Sequence, residues 1–358
     1  MSKNISFSAG RKALEIIREG GLSPDQVKVV AGAAGGPKCL ILNHLDGTLF
    51  STWFAGRKEP LFLLGSSAAA WRFSSISQEQ PLEAIDRFQT TYIHQHYSEK
   101  PSTKEITDKS IAFLNLFLGD RGEKEILNHP YLRLNVMSTR CRGVTASDQK
   151  GALLTGLIIA TLLNILSRKS LGLFFERTLL YDSRDTPPFF DMDEFPIQKV
   201  PLTEENLRVA LLASGSIPVV MSRVTDIPGA RKGTYRDGGI IDYHMDVPFT
   251  DDGDGIVLFP HYTNRIIPGW LDKRLSWRKP DRSHVENMLL LHPTEAFIQR
   301  LPYRKIPDRK DFNLFVGRDK ERMDYWKKAI EESKHLSEEF LEAVESGKIR
   351  KLVGPLPE

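Results

Sequence analysis

Leu61-Phe62-Leu63-Leu64 runs directly into Gly65-Ser66-Ser67-Ala68-Ala69: an apolar run, a cluster of small residues, then a stretch with no helix breaker. The pattern predicts a strand, a sharp turn and a helix. A serine at the centre of such a turn projects its hydroxyl over the sheet edge, and the residues two before and two after it must be small for strand and helix to close. Ser67 occupies the centre, with Gly65 and Ala69 at the small positions. Upstream, Val27-Lys28-Val29-Val30-Ala31 reads as a buried strand, Gly32-Ala33-Ala34-Gly35-Gly36-Pro37-Lys38 as a glycine turn, and Cys39-Leu40-Ile41-Leu42 as the start of a helix. Two strand–turn–helix units in succession predict a parallel sheet with crossover helices.

Consecutive backbone N–H groups at a glycine turn can face an anion, and glycine lets a substrate oxygen approach closely. Gly35 and Gly36 are the candidate donors, and Lys38 is the basic residue beside them. Downstream, Thr234-Tyr235-Arg236 leads into Asp237-Gly238-Gly239-Ile240-Ile241, which presents a carboxylate on a glycine bend. Ala213-Ser214-Gly215-Ser216-Ile217-Pro218 precedes it as a small-residue segment ending in proline.

Taken in this order, the four segments resemble the patatin-like phospholipase family. Its pattern is a G-G-x-[K/R] oxyanion turn, a G-x-S-x-G serine, a small-residue-plus-proline segment and an aspartate in D-G-[G/A]. The resemblance extends over roughly 28–257, and no family motif can be placed beyond about Ile266. Ala34, Cys39 and Ala69 stand where the family has glycine. The resemblance implies an α/β three-layer sandwich with a mainly parallel central sheet flanked by helices. It implies a serine lipid acyl hydrolase with Ser67 as nucleophile, Asp237 as base, and Gly35, Gly36 and Lys38 at the oxyanion hole. Gly65, Ala69, Gly238 and Gly239 would support the elbow and the aspartate loop. A lipid or phospholipid ester is the implied substrate, with no cofactor.

The chemistry constrains the site. A carbonyl attacked by Ser67 becomes an oxyanion, which preorganised N–H donors stabilise. A carboxylate at its ordinary pKa is a poor base for a hydroxyl, so Asp237 needs burial and a short hydrogen bond. No histidine is required, although a Ser-His-Asp triad through His244 or His261 is the competing arrangement. The glycine turn nearly spells a phosphate-binding G-x-x-x-x-G-K-[S/T] loop, but Pro37 removes an N–H and Cys39 replaces the magnesium-binding hydroxyl. His94 and His96 are two apart on a predicted 81–97 helix and do not share a face. Cys39 and Cys141 are far apart in sequence, so no metal site is expected.

With 358 residues, the chain can bury a large core, read as an α/β domain over 1–318 and a charged helical extension over 319–358. A formal charge of +3 gives no case for nucleic acid. Two cysteines make no disulfide framework, and Met1-Ser2-Lys3-Asn4-Ile5-Ser6 lacks the apolar core of a signal peptide, so a cytoplasmic location is expected. Further predicted elements are a helix over 10–18, strands over 131–137, 171–181 and 254–259, and an amphipathic helix over 319–346 with Met323, Trp326 and Ile330 on one face.

Two segments bear on lipid access. The apolar run 151–166 is shorter than the ~20 residues that span a bilayer, which leaves a core helix, an acyl-pocket lid or an interfacial helix. The 265–279 stretch interleaves Trp270 and Trp277 with Arg265, Lys273, Arg274, Arg278 and Lys279. It suits either headgroup-level contact with a membrane surface or a loop with its tryptophans packed beneath. Two alternatives stay open beside the hydrolase: an acyltransferase or thioesterase on the same fold, and a catalytically silent lipid-binding protein.

Overall fold

The computed structural model describes residues 3–250 and 255–357. Met1, Ser2, Asp254 of the expected 254–259 strand, and Glu358 lie outside them. Eleven strands are described: β1 (Ile5–Ala9), β2 (Val27–Gly32), β3 (Leu61–Ser66), β4 (Leu132–Cys141), β5 (Phe175–Tyr181), β6 (Ile197–Pro201), β7 (Val224–Thr225), β8 (Thr234–Asp237), β9 (Ile256–Pro260), β10 (Met288–Pro293) and β11 (Gly354–Pro355). They form one sheet in the order β11-β1-β10-β9-β2-β3-β4-β5-β6, with β8 on β4 and β7 on β8. Most neighbours are parallel; β1–β10, β4–β5, β4–β8 and β7–β8 are antiparallel.

Alternate residues of a strand point to opposite faces, so strands buried at every position are covered on both sides. β9 and β10 are buried throughout, and β2, β3 and β4 at all but one position each. Helices therefore flank the sheet, as the three-layer expectation requires.

β4 positions the site. Its first residues pair with β3 in parallel, the last pair being Ser66 with Met137. Its last residues pair with β8 in antiparallel, beginning with Ser138 opposite Asp237. Thus β3 and β8 lie along β4 and end at two consecutive β4 residues. Gly32 at the end of β2 is the register partner of Gly65, so the glycine turn leaves the sheet beside the serine turn. Carboxyl ends of parallel strands are where open α/β sheets bind ligands.

Several boundaries differ from expectation. The 81–97 helix is Pro81–Ile93, because the buried Arg322 takes the Ile93 and Gln95 carbonyls; His94 caps the helix and His96 lies beyond it. Residues 171–173 belong to a 3₁₀ turn, Arg168–Leu173, before β5. The C-terminal stretch is two helices, Asp319–Glu332 and Lys334–Glu345, broken where the Ser333 N–H and hydroxyl both bond the Ile330 carbonyl. Trp326 and Ile330 are buried as expected, and Met323 is half-buried.

The apolar run forms the helix Lys150–Leu166. Leu153, Leu157 and Ala160 pack against Ile240 and Ile241, whereas Leu154, Ile158, Leu162, Ile165 and Leu166 are exposed. It is thus a half-buried surface helix rather than a core helix. No helix among the described residues is long and apolar enough to cross a membrane.

Candidate active site

Ser67 stands between β3 and the helix Ala68–Ile76 at φ 54°, ψ −129°. A non-glycine residue at positive φ carries strain of order 1–3 kcal/mol and persists only where its surroundings over-determine it. Here they do. The Ser67 N–H donates to Ser214 Oγ at 2.8 Å, and that hydroxyl donates to the Met137 carbonyl of β4 at 2.6 Å. Ser66 Oγ donates to the Asp242 carbonyl at 2.7 Å. The Asp242 carboxylate is held by a two-pronged contact with buried Arg177, at 2.9 and 2.7 Å.

The small residues around the turn are set by contact. A Cβ on Gly65 would lie 2.9 Å from the Ala69 backbone. One on Gly32 would lie 2.7 Å from the Ala69 methyl and 2.6 Å from the Phe73 ring. The methyl of Ala69, at a position where glycine was expected, is therefore accommodated by a glycine on the neighbouring strand.

Asp237 ends β8, and its N–H donates to the Ser216 carbonyl at 2.9 Å. Ser67 Oγ donates to Asp237 Oδ2 at 2.8 Å, and the Gly239 N–H donates to Oδ1 at 2.7 Å. Both side chains are buried. Burial raises the Asp237 pKa above the ordinary carboxylate value; the bond from Ser67 and the charges of Arg309 and Lys273 act in the opposite sense. A Cβ on Gly238 would lie 2.2 Å from the Met137 carbonyl, so the bend tolerates only glycine there.

The glycine turn faces the same space. Ala34, Gly35 and Lys38 line a cavity of about 170 Å³ together with Ser67 and Asp237. Gly36 adopts φ +60°, and among the described residues no backbone carbonyl takes the Gly35 or Gly36 N–H. A Cβ on Gly35 would lie 2.7 Å from the Tyr262 ring. The Tyr262 hydroxyl donates to the Ala34 carbonyl and meets His244 Nε2 at 2.8 Å, while His244 Nδ1 accepts the Ile267 N–H at 3.0 Å. His244 is thus occupied on both nitrogens, and burial drives its pKa well below the ordinary value. His261 is likewise buried and lowered to about 3. Neither histidine is the partner of Ser67 Oγ. Cys39 is buried, its thiol pushed up to about 12 by burial.

A second cavity, about 550 Å³, shares Ser67, Ile217 and Arg309 with the first; Trp71, Met221 and Phe312 line it together with the charged Glu99 and Asp319. That volume suits a ligand of lipid or drug size. No residue of the helix Lys150–Leu166 lines either cavity, so the lid expectation does not hold for this arrangement.

Five lining residues lie outside the stretch that carried the sequence motifs: Trp270, Lys273, Asp308, Arg309 and Lys310. Of the 265–279 segment, Trp270 and Lys273 line the site while Trp277 is exposed. Tyr262, which shapes the glycine turn, was also not singled out. Its only sequence signal is a position just beyond a buried strand. Among the described residues no group of histidine, cysteine and carboxylate side chains could hold a metal ion.

No family model matches this chain, and no curated protein matches it. Among solved structures it is similar to VipD from Legionella pneumophila, at 12% identity and a TM-score of 0.32, over 66% of this chain and 50% of that one. The match thus spans half of VipD's length, and the α/β fold and the site rest on this chain's own sheet and side chains.

Proposed function

We propose that the chain is a serine acyl hydrolase acting on lipid esters. The observation that carries the reading is the 2.8 Å hydrogen bond from Ser67 Oγ to a buried Asp237, at a cavity that Gly35 also lines. Asp237 takes the serine proton as Oγ attacks the ester carbonyl, and the raised pKa makes it a better base than an ordinary carboxylate. The Gly35 and Gly36 N–H groups receive the oxyanion. Collapse of the tetrahedral species expels the alcohol, which takes the proton from Asp237, and leaves an acyl group on Ser67. Water attacks this acyl-enzyme, again giving its proton to Asp237; the acid departs as the proton returns to Ser67.

The larger cavity beside Ser67, with Trp71, Ile217, Met221 and Phe312 in its lining, supports a fatty-acyl chain as the transferred group. The resemblance to patatin-like phospholipases supports a lipid or phospholipid as its source. Peripheral contact with a membrane surface is part of the proposal, through the exposed apolar side chains of the helix Lys150–Leu166. A fluorescent fluorophosphonate tests the core of the reading. Wild type should label, Ser67→Ala should not, and Asp237→Asn should label far more slowly. Folded wild type that fails both to label and to release fatty acid from phospholipid vesicles would support a silent lipid-binding protein instead.

A further inference from the structure

We propose that Lys38, Lys273 and Arg309 form an anion subsite beside Ser67 that receives a phosphate group on the alcohol side of the ester. This rests on the hydrolase reading and extends it from an ester to an ester with a charged leaving group. The three cations come from separate parts of the chain: the glycine turn, the end of the short turn Trp270–Asp272, and a loop following the turn Pro302–Arg304. They converge on the 170 Å³ cavity that contains Ser67 and Asp237. Arg309 Nη2 lies 3.3 Å from where a Gly36 Cβ would be, so its guanidinium abuts the glycine turn.

Nearby carboxylates offset them only in part and from a distance, Asp308 acting on Lys38 and Asp237 on Lys273. Among the described residues none of the three makes an ion pair, although much of the surface is paired. The lysines lie against aromatic rings instead, Lys38 Nζ at 4.8 Å from the Tyr262 centroid and Lys273 Nζ at 3.8 Å from the Tyr243 centroid. Of the two carboxylates lining the cavity, Asp237 is bonded to Ser67 and Gly239, and Asp308 accepts the Lys310 N–H and pairs with Lys305 at 3.8 Å. Lost solvation, with mutual repulsion, lowers the pKa of Lys38 and Lys273. A bound anion relieves that repulsion.

The two cavities give the subsite its sense. They share Ser67, Ile217 and Arg309; the larger continues past Trp71, Met221 and Phe312, whereas Lys38 and Lys273 line only the smaller. An amphiphile with its ester at Ser67 places its chain in the larger and its phosphate in the smaller. A rival account has the cations act only by holding Asp237 ionised, since Arg309 and Lys273 both lower its pKa.

Glyceryl monobutyrate and its 3-phosphate share acyl group and glycerol and differ only in the anion. The subsite predicts a higher kcat/KM for the phosphate ester by ~10–100-fold, the worth of one or two charge-assisted hydrogen bonds. Lys273→Gln and Arg309→Gln should each lower the ratio of the two rates at least several-fold. Inorganic phosphate, titrated calorimetrically into folded Ser67→Ala, should bind, and more weakly when Arg309→Gln is added. Equal loss on both esters, with the pH midpoint of the rate moved upward, would favour the rival and overturn the subsite. Phosphate binding without discrimination between the esters would mean a free-phosphate site, and would overturn the leaving-group assignment. Cleavage of neither ester by wild type would count against the hydrolase reading, while phosphate binding alone still decides whether the anion site exists.

Discussion

Gly35→Ala probes the glycine turn most directly. An added Cβ would lie 2.7 Å from the Tyr262 ring, against the 3.4 Å at which ordinary contact begins, a deficit of about 0.7 Å. The ring has little room to move, since its hydroxyl is tied to the Ala34 carbonyl and His244. Most of the displacement therefore falls on the turn itself. Losing one oxyanion donor costs ~10²–10³ in kcat, and a misplacement of about 1 Å can cost ~10²-fold, so a fall of roughly 10²-fold or more is expected. The assay is steady-state hydrolysis of p-nitrophenyl butyrate, with thermal unfolding run in parallel. Gly56→Ala is the control for adding a methyl without a clash: that residue sits at φ +78°, meets nothing within 4 Å and lies outside the site. A folded Gly35→Ala enzyme within threefold of wild-type kcat would refute the assignment of this turn as the oxyanion hole.

Asp237→Asn should unfold at a temperature no lower than wild type at pH 7. The folded Asp237 pKa is raised, so ionised Asp237 destabilises the fold as pH rises through that value, and the difference should shrink in acid. In the wild type, kcat/KM for the neutral ester should rise with pH with a midpoint above the 3.8 of an ordinary aspartate; a midpoint at or below it would contradict the buried-base assignment. Gly32→Ala forces a methyl against the Ala69 and Phe73 side chains and should cost about 1–3 kcal/mol in a denaturant titration, with partial relief by Ala69→Gly. Ile158→Asp with Leu162→Asp, at positions 59% and 58% exposed, should abolish sedimentation with anionic vesicles and spare hydrolysis of a soluble ester. Unchanged sedimentation would remove this helix from the membrane proposal.

The sheet could be anticipated because its signals are local. Apolar runs ending at glycine mark β2 and β3, and each lies beside the turn it delivers. The meeting of Ser67 with Asp237 depends on register, which couples residues 170 positions apart and leaves no local trace. The double use of β4, pairing first with β3 and then with β8, was accordingly invisible; its predicted extent stopped at 137, one residue short of the β8 pairing. Lys273 reads only as one of five basic residues in the 265–279 stretch, and Arg309 not at all, for another reason. A basic residue in a loop reads as solvated wherever it lies, and only the tertiary arrangement turns three of them toward one cavity. Helix ends failed where a distant side chain decided them, as Arg322 does at Ile93.

The arrangement on β4 also bears on how the protein fails when heated. Ser67 and Asp237 each follow or end a strand whose last rung is one of two neighbouring residues of β4, and Ser214 fastens the serine backbone to the first of these. Loops around the cavity can fluctuate without changing the spacing of hydroxyl and carboxylate. Local openings that precede global unfolding in many active sites should leave this pair aligned. Amides of the central β4 rungs should then exchange only with the whole molecule, and loss of the Ser67–Asp237 contact should coincide with the cooperative melting of the sheet.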